Sequence, residues 1–157
     1  MSDVEKEILE SLITEEEIHK AIQHMKNGKS PGVDNILTEM LKSCEYQIMT
    51  FLVALFNKLF RSGCFPFVWS KAIIVPLHRK GDVNNSDNYL GISLLSSLGK
   101  IYTCVLNDRL TKWANIMDKV SETQAGFRQG YSVVENIFTL YAIIEKNLCK
   151  RRKKLCV

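Results

Sequence analysis

Hydrophobic residues in the first part of the chain recur at helical spacing. Thr14 and Glu17 match a capping box, in which each side chain bonds the backbone N–H of the other residue. The pattern predicts a helix that begins after Thr14 and ends near Gly28, because glycine readily adopts the left-handed conformation that closes helices. The apolar residues at this spacing are Ile18, Ala21, Ile22 and Met25.

Residues 29–34 include a proline and a glycine, which predicts a loop. Asp34 or Asn35 can cap a short helix over 36–41, since both side chains accept bonds from free N–H groups. A longer helix is predicted over 46–60, where a wide apolar stripe is typical of a buried helix. Gly63 and Pro66 are expected to end it.

The period then changes from that of a helix to that of a strand. Residues 71–77 are rich in β-branched side chains, and residues 89–95 can return beside them. Pro76 cannot donate a ladder hydrogen bond and therefore indicates an edge strand. Residues 81–88 are mostly turn formers. The sequence thus predicts a β-hairpin around residues 71–95 with a long polar loop.

Helical spacing returns over 98–113, and Ser132 and Glu135 form a second capping box that opens a further helix. Residues 155–157 look like the beginning of a strand. The expected fold class is α+β and helix-rich.

Composition supports an ordinary folded chain of 157 residues with 46% hydrophobic residues and a net charge of +4. That apolar content argues against disorder, and the most apolar stretch is too short and too polar to span a membrane. Residues 1–25 hold seven acids and two bases, a net of −5, which leaves +9 on the remaining 132 residues. No secretory signal is visible, which favours an intracellular protein, in the nucleus or the cytoplasm.

Few residues suggest chemistry by themselves. The five cysteines form no CxxC pair, so reduced and mostly buried thiols are expected. The histidines at 19, 24 and 78 have no evident partner, and Asp82 and Asp87 fit a turn better than a metal site. Arg79 and Lys80, beside the hairpin loop, can be an exposed charged turn or a phosphate-binding pair. The basic run 150–154 can be a solvated helix end or a nucleic-acid contact.

Five motifs in this order resemble the reverse transcriptases of LINE-type non-LTR retrotransposons. They are K-S-P-G-V-D (29–34) with E-M-L-K (39–42), L-F-N (55–57) with Gly63, Pro66 and Trp69, A-I-I-V-P-L-H-R-K-G-D (72–82), N-Y-L-G-I-S-L-L (88–95) and Q-A-G-F-R-Q-G-Y-S (124–132). The resemblance covers residues 14–157, and the acidic segment 1–13 precedes it.

The resemblance implies a partial right-hand polymerase, with fingers and the start of a palm. Arg79 and Lys80 would then approach nucleotide or template phosphate. Arg128, with Gly126 and Gly130 beside it, would lie near the same pocket, where glycine lets a backbone approach a ligand. The implied partners are an RNA template and a DNA primer, with no membrane. The implied cofactor of the intact family enzymes is Mg²⁺.

Two departures from the family pattern bear on activity. Leu90 stands where the family usually has an arginine, and leucine can neither carry charge nor donate a hydrogen bond. The family's metal-binding aspartates belong to motifs that these 157 residues do not contain, and polymerase chemistry needs such carboxylates. We therefore expect a fragment that binds no Mg²⁺ and is catalytically inactive alone, with a residual phosphate-contact surface.

A second interpretation is a domesticated or degenerate helical domain that binds a protein partner and has no nucleic-acid function. The acidic first segment and the basic end would then be partner-facing surfaces.

Overall fold

The computed structural model describes residues 3–121, 124–126, 128, 130 and 132–149. These residues form two compact units, 1–113 and 114–157, and each unit is described by itself. The described elements, in chain order, are α1 (Asp3–Glu10), α2 (Glu15–His24), α3 (Thr38–Ser43), α4 (Glu45–Ser62), α5 (Phe67–Ser70), β1 (Ala72–His78), β2 (Tyr89–Leu95), α6 (Ser97–Ile116) and α7 (Val133–Cys149).

The predicted helix-rich α+β class is confirmed, with a single two-stranded antiparallel sheet among the described residues. The expected strand at 155–157 and the basic run at 150–154 lie outside the described residues. None of the described helices is long and apolar enough to span a membrane.

The capping box that opens α2 is confirmed. The Thr14 hydroxyl accepts from the Glu17 N–H at 3.4 Å, and the Glu17 carboxylate accepts from the Thr14 N–H at 2.9 Å. The predicted end of the helix is wrong, because α2 stops at His24 and Gly28 lies in the loop beyond it with φ +69°. The chain leaves the helical conformation at Met25, whose backbone is extended with φ −66° and ψ 134°. The ammonium of Lys42 donates to the Met25 carbonyl at 2.8 Å, an acceptor that the helix end leaves free.

The core of the first unit is the apolar face of α4 packed with α2 and α6. Phe56 of α4 is completely buried, and its ring lies 5.4 Å from the ring of Tyr102 and 6.2 Å from that of Trp69. Truncating a buried phenylalanine to alanine costs about 3–5 kcal/mol, so this face alone contributes a large share of the stability. The other fully buried apolar side chains are Ile13, Ile18, Ile22, Leu52, Ile101 and Val105.

The hairpin is confirmed, and its register is simple. Ala72 pairs with Leu95 at one end and His78 pairs with Tyr89 at the other. Both strands are exposed along almost their whole length. The hairpin therefore projects from the helices, and the pairing of its two strands supplies most of its internal order.

Some of the predicted helix caps are confirmed and others are not. Gly63 closes α4 in the left-handed conformation, as expected. Neither Asp34 nor Asn35 caps α3, whose N-cap is Leu37 without a side-chain bond, so that prediction is wrong. Before α7, the Ser132 hydroxyl accepts from the Val134 N–H at 3.1 Å, one residue earlier than a capping box requires.

Two polar side chains hold the irregular segment 11–14 against the helices. The amide of Asn57 accepts from the Ile13 N–H at 2.8 Å and donates to the Ile13 carbonyl at 2.9 Å. Arg109, only 6% exposed, donates to the carbonyls of Ser11 and Leu12 and pairs with the Glu17 carboxylate at 2.6 Å. These bonds satisfy backbone groups that no helix or strand satisfies.

One histidine has a partner that the sequence did not suggest. The His19 ring nitrogen Nδ1 lies 2.6 Å from the Glu45 carboxylate, whose other oxygen accepts from Gln23 at 2.9 Å. The expectation of an unpartnered histidine is therefore wrong at position 19. The pair joins α2 to the first residue of α4.

Acidification should weaken the contact between Glu17 and Arg109. Partial burial raises the pKa of Glu17, but hydrogen bonds from Arg109 and from the Thr14 backbone outweigh it, so the pKa lies below the ordinary 4.5. Because the folded-state pKa of Glu17 is depressed, the ionised carboxylate contributes to the free energy of unfolding above about pH 4.5. This stabilisation is lost as the pH falls through the folded-state pKa. Urea unfolding between about pH 7 and pH 3 should show Glu17→Gln less stable than the natural chain at pH 7.

The two stability curves should converge at the acid end, because a protonated glutamate and a glutamine are then alike. Glu16→Gln is the matched control, since Glu16 is an exposed neighbour on the same helix turn. Parallel curves for the natural chain and Glu17→Gln would contradict the assignment.

Candidate nucleic-acid interface

The hairpin loop is braced by its own side chains. The Asp82 carboxylate accepts from the Asn84 N–H at 2.9 Å, and the Asn88 amide donates to the Asp82 carbonyl at 2.8 Å. The Tyr89 hydroxyl donates to the Val83 carbonyl at 2.9 Å. Asp82 thus serves the turn, as the sequence predicted, and the loop presents its ends in a fixed geometry.

Arg79 and Lys80 lie at the point where β1 enters this loop. The Arg79 N–H donates to the Asn88 carbonyl at 2.8 Å, which extends the ladder by one residue beyond the strands. Both side chains are exposed, and neither forms an ion pair with any described residue. Gly81 follows with φ +92°, and a Cβ there would lie 2.7 Å from the Asn88 amide nitrogen. The backbone that carries the two cations is therefore fixed by the ladder and the loop, and neither charge is neutralised by an ion pair with a described residue.

Leu90 lies on the same face of the hairpin as Arg79. In the observed register Leu90 pairs with Leu77, and extending the register pairs Arg79 with Asn88. Directly paired side chains share a face, so Leu90 is the diagonal neighbour of Arg79 on that face. Leu90 is 44% exposed, so an arginine at this position would reach the same space as Arg79.

The remaining predicted contact residues belong to the second unit. Residue Arg128 is half-buried as a whole, and its guanidinium donates to the Ser121 carbonyl at 3.3 Å in an exposed position. Gly130 has φ +82°, a conformation that favours glycine. A Cβ at Gly126 or Gly130 would meet no atom of the described residues within 4 Å.

The K-S-P-G-V-D loop has a structural role that sequence reasoning missed. The Asp34 carboxylate accepts from the Ser96 hydroxyl at 2.7 Å and from the Ser97 N–H at 2.8 Å. Both serines are buried and join the end of β2 to the start of α6. We call these three residues the root clamp, because they lie at the base of the hairpin. Asp34 thus accepts from a free N–H group at the start of a helix more than sixty residues away. Its residue type indicated a capping role, but the sequence assigned that role to the next helix along the chain.

Gly32 of the same loop contacts the backbone at the hairpin base. A Cβ at Gly32 would lie 2.3 Å from the carbonyl carbon and oxygen of Leu95 and 2.7 Å from the Ser96 nitrogen. The glycine is required because two backbones touch. The motif glycine therefore serves packing, and no ligand is needed to explain it.

Other motif residues also serve the fold. Glu39 accepts from the Gly28 N–H, and this bond holds the pKa of Glu39 below its usual range. Trp69 packs against Gly99, where a Cβ would lie 3.2 Å from the Trp69 Cβ. Glu39, like Asn57 and Lys42, holds a loop to a helix, whereas Trp69 packs α5 against α6.

The described residues do not fit a magnesium centre. No three His, Cys, Asp or Glu side chains within residues 3–121, 124–126, 128, 130 and 132–149 converge on a point that could hold a metal ion. Cys44, Cys64 and Cys104 are free thiols, and Cys64 is exposed, contrary to the expected burial. No step of metal-assisted chemistry is assigned to these residues.

Comparison with known proteins gives relatives of one kind. The chain is 36% identical over 126 residues to the probable RNA-directed DNA polymerase from transposon BS of Drosophila melanogaster, which covers 80% of this chain and 14% of the relative. It is 30% identical over 128 residues to the RNA-directed DNA polymerase from mobile element jockey of the same species, covering 81% and 14%. It is also 30% identical over 133 residues to the probable RNA-directed DNA polymerase from transposon X-element of Drosophila melanogaster, and the match covers 84% of this chain and 14% of that relative. No protein-family profile matches the chain.

These relatives are all products of transposable elements. The chain belongs to the family of non-LTR retrotransposon reverse transcriptases, and it is similar to one segment of the reverse transcriptase domain. It spans about one seventh of the length of these three relatives.

The close approach of the Gly32 and Leu95 backbones allows a direct test of the packing role of the K-S-P-G-V-D loop. Gly32→Ala should lower the free energy of unfolding by about 1–3 kcal/mol, because the methyl group forces two backbones apart. Gly91→Ala in β2 is the matched control, since its Cβ would lie at an ordinary 3.4 Å from Ile74. Urea unfolding measures both variants, and equal stability of Gly32→Ala and Gly91→Ala would contradict the packing role.

Proposed function

We propose that this segment forms the fingers and the entrance of the palm in a right-hand reverse transcriptase, and that its hairpin contacts nucleic-acid or nucleotide phosphate. The observation that carries the proposal is the pair Arg79 and Lys80, which is exposed at the end of a braced hairpin and forms no ion pair within the described part of the chain. A cation stabilises phosphate best when its position is fixed beforehand. The family supports the ligand, because the relatives are named as RNA-directed DNA polymerases.

The charge balance of the loop limits how strongly the hairpin binds. Asp82 and Asp87 lie in the same loop, so residues 79–88 carry no net charge. Attraction must therefore come from short-range contacts of the two cations, and long-range steering is weak. The proposal accordingly requires a modest affinity for RNA with a small dependence on salt. Arg128, Gly126 and Gly130 are proposed as a further contact in the second unit.

Leu90 weakens the proposed nucleotide contact. A leucine at this exposed position cannot donate to a phosphate oxygen, whereas the family's usual arginine can donate two parallel bonds. We therefore propose that this chain holds RNA backbone better than it holds a nucleoside triphosphate.

Removal of the hairpin cations should reduce the salt dependence of RNA binding. The logarithm of the affinity for a single-stranded RNA should change with the logarithm of salt concentration by about 0.7 per phosphate contact. Arg79→Ala/Lys80→Ala should thus lower the slope by about 1.4, measured by fluorescence anisotropy over a salt series. An unchanged slope would contradict the proposal.

Lys58→Ala/Arg61→Ala is the matched control, because it removes two exposed cations from α4 and leaves the hairpin intact.

Leu90→Arg tests the nucleotide contact and should raise the affinity for a nucleoside triphosphate about fivefold, equivalent to about 1 kcal/mol. Leu90→Gln should give no such gain, because glutamine carries no charge. A partner-binding helical domain would show neither the loss at the hairpin nor the gain at Leu90.

The 157-residue polypeptide alone should not extend a primer. Polymerisation requires carboxylates that hold two Mg²⁺ ions at the reacting phosphate, and no F/Y-x-D-D motif occurs in the sequence. The test is Mg²⁺-dependent extension of a DNA primer on an RNA template, with an active reverse transcriptase as the positive control. Synthesis above background by the purified polypeptide would overturn this part of the proposal.

A further inference from the structure

We infer that Asp34 is a positioning residue that sets the direction of the hairpin and thereby the place of Arg79 and Lys80. The functional half of this inference rests on the function proposed above. The structural half stands on the root clamp, in which one carboxylate bonds both residues that join β2 to α6.

The clamp lies where the hairpin is attached. One carboxylate oxygen of Asp34 accepts from Ser96 and Ser97. The other oxygen of the same carboxylate accepts from the Ile36 N–H at 3.3 Å. The Ser97 hydroxyl donates to the Ile36 carbonyl at 2.6 Å, so the loop and the start of α6 are bonded in both directions. Ser96 and Ser97 are 0% and 3% exposed, which shields these bonds from competing water.

Because both strands are exposed, the root clamp has a large effect on the direction of the hairpin. Since β1 and β2 pack little against the helices, the attachment at the root sets their direction. Seven strand residues at about 3.3 Å each place the tip about 23 Å from the root. A rotation of about 10° at the root would therefore move the two cations by about 4 Å, more than the length of a hydrogen bond.

The first test measures amide hydrogen exchange in the full 157-residue chain. Asp34→Asn replaces an acceptor oxygen by an amide and removes the charge that strengthens both bonds. Exchange should speed up at the Ser97 N–H and along β1 and β2, while α2 and α4 keep their protection. Faster exchange everywhere would mean general loss of stability and would overturn the inference, as would unchanged exchange in the hairpin.

The second test is a double-mutant cycle on RNA binding at low salt. Asp34→Asn should lower the affinity about fivefold in the natural chain and by no more than the error in the Arg79→Ala/Lys80→Ala background. Coupling of this kind follows only if Asp34 acts through the hairpin cations. Two results would overturn the functional half. One is an equal loss of RNA affinity in both backgrounds. The other is an unchanged RNA affinity of Asp34→Asn in the natural chain when Arg79→Ala/Lys80→Ala does weaken binding.

Asp108→Asn is the matched control, since Asp108 is an exposed carboxylate on α6 and its replacement changes the net charge equally. It should leave both the exchange pattern and the affinity unchanged. If Arg79→Ala/Lys80→Ala leaves RNA binding intact, the proposed function fails. The exchange experiment then still decides the structural half, so the two failures are distinguishable.

Discussion

The burial of Phe56 and its neighbours on α4 is the constraint on which the first unit depends. Helices as short as α2 have little stability of their own in water, so they persist because their apolar faces are removed from it. The ring of Phe56 meets Tyr102 of α6 and Trp69 of α5, and this contact joins segments far apart in the chain. Once these helices pack, every loop between them has its ends fixed.

Polar side chains then attach the irregular segments to that core. Asn57 and Arg109 bond the backbone of residues 11–13, and Asp34 bonds the start of α6. A buried backbone group without a partner is costly, so each of these side chains stabilises a path that no regular element could satisfy. Several residues that mark the family in sequence are therefore explained by packing and hydrogen bonding alone. Arg79 and Lys80 are different, because among the described residues no ion pair accounts for their exposed side chains.

Local rules predicted most of the elements. Periodicity gave the helices and the hairpin, because 3.6-residue and two-residue repeats follow directly from which side chains are buried. The left-handed Gly63 and the capping box at Thr14 were also predictable, since their bonds lie within a few residues. The end of α2 was not, because the backbone becomes extended already at Met25, before the glycine at which local rules expect the helix to close. The partner of His19 was missed because Glu45 belongs to another helix, 26 positions further along the chain.

The sequence by itself determined the class of elements, their order, the family and the presence of two cations beside a turn. Those properties depend on residue type and on spacing along the chain. Only the tertiary structure decided that Asp34 caps α6, that Gly32 touches Leu95 and that Leu90 lies diagonally beside Arg79. These facts join residues from about ten to more than sixty positions apart. Their physical cause is the packing of the helices and the register of the strands, which bring such residues within bonding distance.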